Sequence, residues 1–271
     1  MREKRHSGRG PNRLCVVSLG PGDLAYLSMR ALDVLNSAQV VVGYKTYIRL
    51  IDKLLEGKEV ISTGMRAEID RVHAAIDQAM QGRNTAIVSS GDAGIYGMAG
   101  LVLEVCQQKG IHISRQGGPE TGPHDLVVEI VPGTPALCAG AALVGAPLMH
   151  DFVSVSLSDL LTPWEVIADR LTHAAQADFV IVLYNPKSRK RDWQLEAAQA
   201  ILLRYRDRDT PVGVVNKAMR SGQQARIATL FEMHTMDVDM QTIVIVGSSK
   251  SYIFEDFMIT PRGYMDKYRV N

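Results

Sequence analysis

Thr85-Ala86-Ile87-Val88-Ser89-Ser90-Gly91-Asp92-Ala93-Gly94-Ile95-Tyr96-Gly97 is the stretch from which the fold of this chain is read. Thr85 to Val88 is an apolar run, the turn after it holds three glycines and one carboxylate, and a helical pattern starts near Met98. A strand, a glycine turn and a helix in that order put the turn at the carboxyl end of a strand, where open α/β sheets bind ligands. Glycine lets backbone groups come close to a ligand, and Asp92 can accept hydrogen bonds from hydroxyl or ammonium donors. On this stretch alone, an ordinary strand-to-helix turn competes with that reading.

Upstream, Leu14 to Leu19 reads as a buried strand ending in Gly20-Pro21-Gly22-Asp23, and Ser28 is a plausible N-cap for a helix from Met29 to Leu35. The dinucleotide fingerprint lacks its third glycine, because Leu24-Ala25 stands where it would continue, so no NAD site is expected. Gln39 to Val42 is a short strand and Tyr44 to Leu55 a helix. Met65, Ile69, Val72, Ile76 and Ala79 recur at helical spacing, with Glu68, Asp70 and Arg71 on the other face. Downstream, Gly97 to Lys109 is a helix, 113–125 a surface loop, and Leu126 to Val131 a strand breaking off at Pro132-Gly133-Thr134-Pro135-Ala136. Three strands thus end in Gly- and Pro-dense loops, at 20–23, 91–97 and 132–136. A mostly parallel sheet turns all its strand ends to one side, so these loops should line one crevice.

Past Gly145-Ala146-Pro147 the pattern changes. Phe152 to Ser156 alternates, Thr162-Pro163 opens a helix through Leu171, and Phe179 to Leu183 is an apolar strand. Pro211 to Val215, Ala225 to Leu230 and Thr242 to Val246 add strands with fewer helices between them. The fold class expected is α/β: two α/β domains, 14–140 and 148–264, with mostly parallel or mixed sheets and a cofactor cleft between them. Tails flank them at 1–13 and 265–271. The strand at 179–183 runs into Tyr184-Asn185-Pro186-Lys187-Ser188-Arg189-Lys190-Arg191, whose four cations form a local site for carboxylates or phosphates, unless they are only a solvated helix end. Arg220 could add to that field.

The rest of the chain is close to neutral. Lys and Arg number 30 against 29 Asp and Glu, which leaves no global basic field for nucleic acid, and 46% hydrophobic with 22% charged residues is globular composition. No apolar run reaches membrane-spanning length. Residues 1–13 are basic with no signal core behind them, and read as a disordered tail and neither a targeting peptide nor a nucleic-acid arm. Cys15, Cys106 and Cys138 sit in apolar contexts and read as buried free thiols of a cytoplasmic protein; no CxxC or histidine pairing suggests a metal or iron–sulfur centre.

Val17-Ser18-Leu19-Gly20-Pro21-Gly22-Asp23, Ser90 to Gly97, Val131-Pro132-Gly133-Thr134-Pro135-Ala136 and Leu183-Tyr184-Asn185-Pro186 occur in the order and spacing of the tetrapyrrole methylase family. The chain resembles that family from about residue 14 to 264. With Thr260-Pro261-Arg262-Gly263-Tyr264, the 184–191 segment looks most like its C17-methylating branch in cobalamin biosynthesis, which acts on precorrin-3B or, in the anaerobic route, on cobalt-factor III. The resemblance implies a homodimer that binds S-adenosylmethionine between its domains. By motif, the cofactor contacts would be Pro21, Gly91, Asp92, Ile95, Pro135, Ala136, Asn185 and Ala218. Ala93 departs from the proline that many relatives carry after the Gly-Asp pair.

The chemistry implied is methylation at C17 with contraction of the ring. Methyl transfer from a sulfonium to an electron-rich carbon needs alignment and exclusion of water more than a catalytic triad. Contraction moves protons, which makes Asp23 and Tyr96 acid–base candidates, against a structural role as a loop cap and a packed ring. Lys187, Arg189, Lys190, Arg191, Arg220 and Arg262 would pair with the carboxylates of the tetrapyrrole. Two alternatives stay open: methylation at C11, at C20 or of uroporphyrinogen III, and a non-catalytic anion- or nucleotide-binding protein.

Overall fold

The structure is a computed structural model, and it describes residues 12–115, 125–188 and 191–268. The chain divides into two units, Met1–Pro135 and Ala136–Asn271.

The first unit is built on a six-stranded sheet. Its strands are β1 (Asn12–Ser18), β2 (Val40–Tyr44), β3 (Glu59–Thr63), β4 (Thr85–Ser89), β5 (Ile113–Arg115) and β6 (Leu126–Val131), in the spatial order β3-β2-β4-β1-β6-β5. Every pairing is parallel. A parallel strand is covered on both faces and reads as an unbroken apolar run, as in Leu14-Cys15-Val16-Val17. Alternate side chains then serve two cores. Leu14, Val16, Val42, Ile87 and Leu126 pack with Val72 and Ile76 of α3 (Glu68–Met80) and Val102 of α4 (Ala99–Gln108). Cys15, Val17, Val41, Val88 and Val131 pack with Leu35 of α1 (Met29–Ser37) and with Ile51, which follows α2 (Lys45–Leu50). Ser28 caps α1 as its sequence suggests, its Oγ accepting from the Ala31 N–H at 3.1 Å. Glu129 of β6 fastens that helix: its carboxylate takes Arg13 at 2.6 Å and Arg30 of α1 at 2.6 Å.

The second unit carries a mixed sheet, as its sequence pattern suggested. Its strands β8 (Phe152–Ser156), β9 (Val180–Tyr184), β10 (Pro211–Asn216), β11 (Gln224–Thr229) and β12 (Thr242–Val246) lie in the order β11-β10-β12-β9-β8. Only β8 and β9 are parallel. Val155, Ile181, Leu183, Val212 and Val244 pack with Ile167 and Leu171 of α6 (Trp164–Gln176) and Leu202 of α7 (Gln194–Leu202). A third sheet joins β7 (Gly145–Ala146) to the hairpin β13 (Tyr252–Phe254) and β14 (Phe257–Ile259). Gly145 has φ +128°, and a Cβ there would stand 2.6 Å from the Met258 carbonyl oxygen. Helices α5 (Ala136–Val144) and α8 (Tyr264–Lys267) complete the unit.

Several expectations change. Asn12 and Arg13 belong to β1 and pair with Leu126 and Val127, so the strand reaches two residues into the supposed tail. Residues 1–11 lie outside the described residues. Ile113–Arg115 is an edge strand, while 116–124 of the expected loop is outside the description. β3 (Glu-Val-Ile-Ser-Thr) does not alternate cleanly, and the strands of the 252–259 hairpin are three residues each, too short to be read in advance. Helix α3 starts at Glu68, which leaves Met65 and Ile69 exposed and turns Arg71 inward, 3% exposed. Arg71 donates to the Thr63 hydroxyl (2.8 Å) and the Gly64 carbonyl (2.9 Å), bonds that offset part of the cost of its burial. Cys15 and Cys106 are buried, and Cys138 is exposed on α5. Among the described residues no helix is long and apolar enough to cross a membrane.

Candidate functional site

β4, β1 and β6 are neighbours, so the three Gly- and Pro-dense loops begin side by side. They are bonded to one another. Gly20 N–H donates to the Gly91 carbonyl (3.1 Å) and Gly91 N–H returns a bond to Gly20 (2.7 Å). Asp92 ties in the third loop, its Oδ2 accepting from Gly133 N–H at 2.9 Å while Oδ1 accepts from Gly94 N–H at 2.8 Å. Ser18, fully buried, accepts from Ala93 N–H at 2.8 Å. Gly91 has φ +68°, and a Cβ on Gly133 would lie 2.6 Å from Ser18 Cβ and 2.7 Å from the Gly91 oxygen. These glycines are set by loop-on-loop packing.

Of the residues the sequence points to here, Pro21 is buried, while Gly91, Asp92, Ile95 and Pro135 are half-buried. Ile95 N–H donates to the Asp92 carbonyl at 3.2 Å. Asp23 is exposed and its Oδ1 accepts from Ala25 N–H at 2.8 Å, which makes it the cap of the short turn Leu24–Tyr26. Tyr96 is 54% exposed with φ +51°, a left-handed backbone held at a non-glycine residue. Ser18 and Gly133 are supports of the loop packing that the sequence reading did not single out. The signal for Ser18 was there, a hydroxyl closing an apolar strand just before Gly20.

The charge of this corner decides what fits it. Loops 20–23, 91–97 and 132–136 hold two carboxylates and no Lys, Arg or His. Backbone N–H groups of a glycine loop or helix N-terminus can bind phosphate by themselves, but in this corner those of Gly94 and Gly133 are already taken by the Asp92 carboxylate. Here the Asp92 carboxylate has spent two of about four acceptor positions on backbone donors, which leaves capacity for an ammonium or a ribose hydroxyl. Such a donor set suits a sulfonium amino acid nucleoside better than a polyphosphate.

In the second unit, Ala136 opens α5, whose Leu137 N–H donates to the Tyr184 hydroxyl at 3.0 Å. Asn185, just past β9, has φ +52°, and its Nδ2 donates to Ser156 Oγ at 3.0 Å. Ala218 is buried between Lys217 (φ +50°) and Met219 (φ +54°). Lys187 and Arg262 are exposed and Arg220 is half-buried; Arg189 and Lys190 lie outside the described residues. Arg191 turns back under its own loop, donating through Nη1 to Ser158 Oγ and through Nη2 to the Asn185 carbonyl, each at 2.8 Å. Burial pushes its guanidinium below the ordinary value, opposed by the Asp159 carboxylate. Among the described residues no group of three or more His, Cys, Asp or Glu side chains is placed to hold a metal ion.

Two α/β units, one with a wholly parallel sheet whose glycine loops meet around a carboxylate, define the class. The family of tetrapyrrole (corrin/porphyrin) methylases matches residues 13–234, and the chain belongs to that family of methyltransferases. A protein of Salmonella typhimurium named "Probable cobalt-factor III C(17)-methyltransferase" is 47% identical over 251 residues, 93% of this chain and 99% of its own. A cobalt-factor III methyltransferase of Priestia megaterium is 46% identical over 259 residues, which is 96% of this chain and 46% of that relative. The chain thus spans about half the length of the second relative and nearly all of the first. Among solved structures, the methyltransferase CobJ superposes with a TM-score of 0.82 at 31% identity, over 92% of this chain and 99% of that one.

Proposed function

We propose that the protein transfers the methyl group of S-adenosylmethionine to C17 of cobalt-factor III, with ring contraction, in cobalamin biosynthesis. The observation that carries this reading is the loop corner around Asp92, a carboxylate and glycine set with no cation. It disfavours the simple anion of the non-catalytic alternative, because a carboxylate with spare acceptor positions suits hydroxyl and ammonium donors, and membership of the methylase family supports a methyl donor over a nucleotide. The names of relatives at 46–47% identity support cobalt-factor III over the other corrin positions.

The sulfonium supplies an electrophilic methyl carbon: its C–S bond breaks as the C17–methyl bond forms, and sulfur keeps the electron pair. The chain's part is to bind, orient and exclude water. For cofactor contacts we propose Pro21, Gly91, Asp92, Ile95 and Pro135 of the first unit and Ala136, Asn185 and Ala218 of the second. Lys187, Arg220 and Arg262 are the proposed partners of substrate carboxylates. Asp23 caps its own turn, and for the proton movements of contraction we propose Tyr96, which is 54% exposed on the glycine loop. Tyr96→Phe should then slow contraction more than it weakens S-adenosylmethionine binding, and equal losses in single-turnover rate and titration would remove that role.

We propose further that the protein works as a cytoplasmic homodimer. Tyr252, Ile253, Phe254 and Phe257 of the 252–259 hairpin are each about half exposed, which supports a contact between copies. Sedimentation velocity tests this. The activity is tested by anaerobic incubation with S-adenosylmethionine and, separately, cobalt-factor III and precorrin-3B. Gain of one methyl with the absorption of a contracted ring from cobalt-factor III alone is the expected result. Turnover of precorrin-3B alone moves the protein to the other route, and methyl gain without contraction moves it to another position in the family.

A further inference from the structure

We infer that Arg191 is a positioning residue for the cofactor loop at Asn185 and not a partner of the substrate. The inference rests on the reading that Asn185 contacts S-adenosylmethionine.

Asn185 holds φ +52°, a left-handed backbone that asparagine adopts more readily than other side-chain-bearing residues and that local bonds must still select. β8 and β9 run parallel with Ser156 opposite Tyr184, so the loops that leave them start as neighbours. Leu157 N–H donates to the Tyr184 carbonyl at 2.9 Å, and Ser156 Oγ receives Asn185 Nδ2. On the far side of the turn, Ser188 and Arg191 exchange backbone hydrogen bonds at 2.7 and 3.2 Å, which brings the Arg191 side chain back beneath the loop. One planar guanidinium then spans both loops, with Nη1 on Ser158 Oγ and Nη2 on the Asn185 oxygen. Its Nε is buried and meets no acceptor among the described residues, so the side chain is held through its two Nη groups.

The neighbourhood makes the same distinction. Gln194, 2% exposed at the start of α7, donates to Asp159 Oδ2 at 2.8 Å, so the 156–159 loop is stapled to the helix after Arg191 as well. Both acceptors of Arg191 are neutral oxygens, a hydroxyl and a backbone carbonyl. Lysine could reach one of them but not both, because the bidentate span belongs to the guanidinium plane. Lys187, four residues earlier, is exposed. The basic segment therefore contains two kinds of cation: Lys187 meets what arrives from solvent, and Arg191 fixes the loop that holds the nucleoside.

The test is calorimetric titration of S-adenosylhomocysteine into the full chain, well below the melting temperature of each variant. Arg191→Gln should weaken binding about tenfold and Ser158→Ala, which removes one anchor, about threefold; Lys187→Gln should stay within about twofold. Arg191→Lys should fall between Gln and the parent. With cobalt-factor III as substrate the pattern reverses, with KM raised by Lys187→Gln and left within about twofold by Arg191→Gln. Parent-like titration of Arg191→Gln and Ser158→Ala overturns the inference, even if their melting temperatures drop. If Arg191→Gln does not fold, Ser158→Ala alone decides. Failure of the parent chain to bind S-adenosylhomocysteine is a different result, and removes the proposed function together with this inference.

Discussion

At the ends of β1, β4 and β6 the chain turns on glycine; at the ends of β9 and β10 it turns on asparagine, lysine and methionine. The first corner removes side chains, so that Gly20 and Gly91 hydrogen-bond directly and Gly133 sits against Ser18 Cβ. The second keeps its side chains and forces their backbones left-handed at Asn185, Lys217 and Met219. What holds it is a set of side-chain bonds: Arg191 and Ser156 on Asn185, and the Gln223 Oε1 accepting from Met219 N–H at 2.8 Å. Tightness obtained by deletion depends on space, and tightness obtained by bonding depends on partners. The two corners should therefore fail in different ways.

Space is tested most harshly by Gly133→Ala. The new methyl would meet Ser18 Cβ at 2.6 Å and the Gly91 oxygen at 2.7 Å, neither of which is a flexible side-chain end. We expect a loss of about 3 kcal/mol, seen as a Tm lower by roughly 6–12 °C. Asn185→Gly is its counterpart. It removes the bond to Ser156 but relieves the left-handed backbone, and we expect a net change under about 1 kcal/mol. Similar losses at both positions would erase the distinction between the corners.

Asp92→Asn comes next in size. The carboxylate receives Gly94 and Gly133 N–H groups on its two oxygens, and an amide can offer only one acceptor while its NH2 opposes a second donor. One half-buried N–H is left unsatisfied, at a cost of about 1–3 kcal/mol. The urea midpoint should fall at unchanged slope. S-adenosylhomocysteine should also bind more weakly, because the corner loses its negative charge; unaltered affinity would mean that Asp92 only ties loops together.

The same contrast explains what could be read in advance. Deletion leaves a mark in the sequence, since Gly20, Gly91 and Gly133 follow apolar runs, and both the parallel sheet and the meeting of its loops could be inferred from them. Bonding leaves none. Asparagine only permits the left-handed backbone at 185 and nothing at Lys217 or Met219 signals it, and Arg191 looked like one more cation of a basic run until its guanidinium was found on Ser158 and Asn185. Arg71 was misread for a related reason. Helical periodicity assigns a charged residue to the solvent face, and it cannot anticipate that Thr63 and Gly64 supply acceptors inside. The hairpin at 252–259 escaped because three-residue strands are shorter than any periodic signal.

The fastenings made by arginine in the two units also differ in how they answer to pH. α1 is held to β6 by Glu129, whose carboxyl lies below its usual range chiefly because Arg30 hydrogen-bonds it. Arg191 is held by neutral oxygens. For a carboxylate with a depressed native pKa, the stabilisation is present above the unfolded value near ~4.3 and is lost as pH falls through the native value. The parent chain should thus lose Tm between neutral pH and pH ~3, and Glu129→Gln should start lower and lose less over that window. Parallel pH curves for the two would show that the ion pair contributes nothing measurable.

The smallest effect discriminates most finely between the two ways of turning a chain. Lys217→Gly and Met219→Gly place glycine where the backbone is already left-handed, at φ +50° and +54°. Glycine removes the conformational penalty of about 1 kcal/mol in the folded state, yet it frees the unfolded chain by a similar amount. If the Gln223 bond and the β10 frame already impose the turn, the two terms offset and chemical denaturation should detect less than ~0.5 kcal/mol in either variant. A clear gain in stability would mean that the strain is only partly compensated, and that this loop stores energy which binding could release. A clear loss would mean that the Lys217 and Met219 side chains themselves hold the corner, and the bonded loops would then depend on packing as much as the glycine corner does.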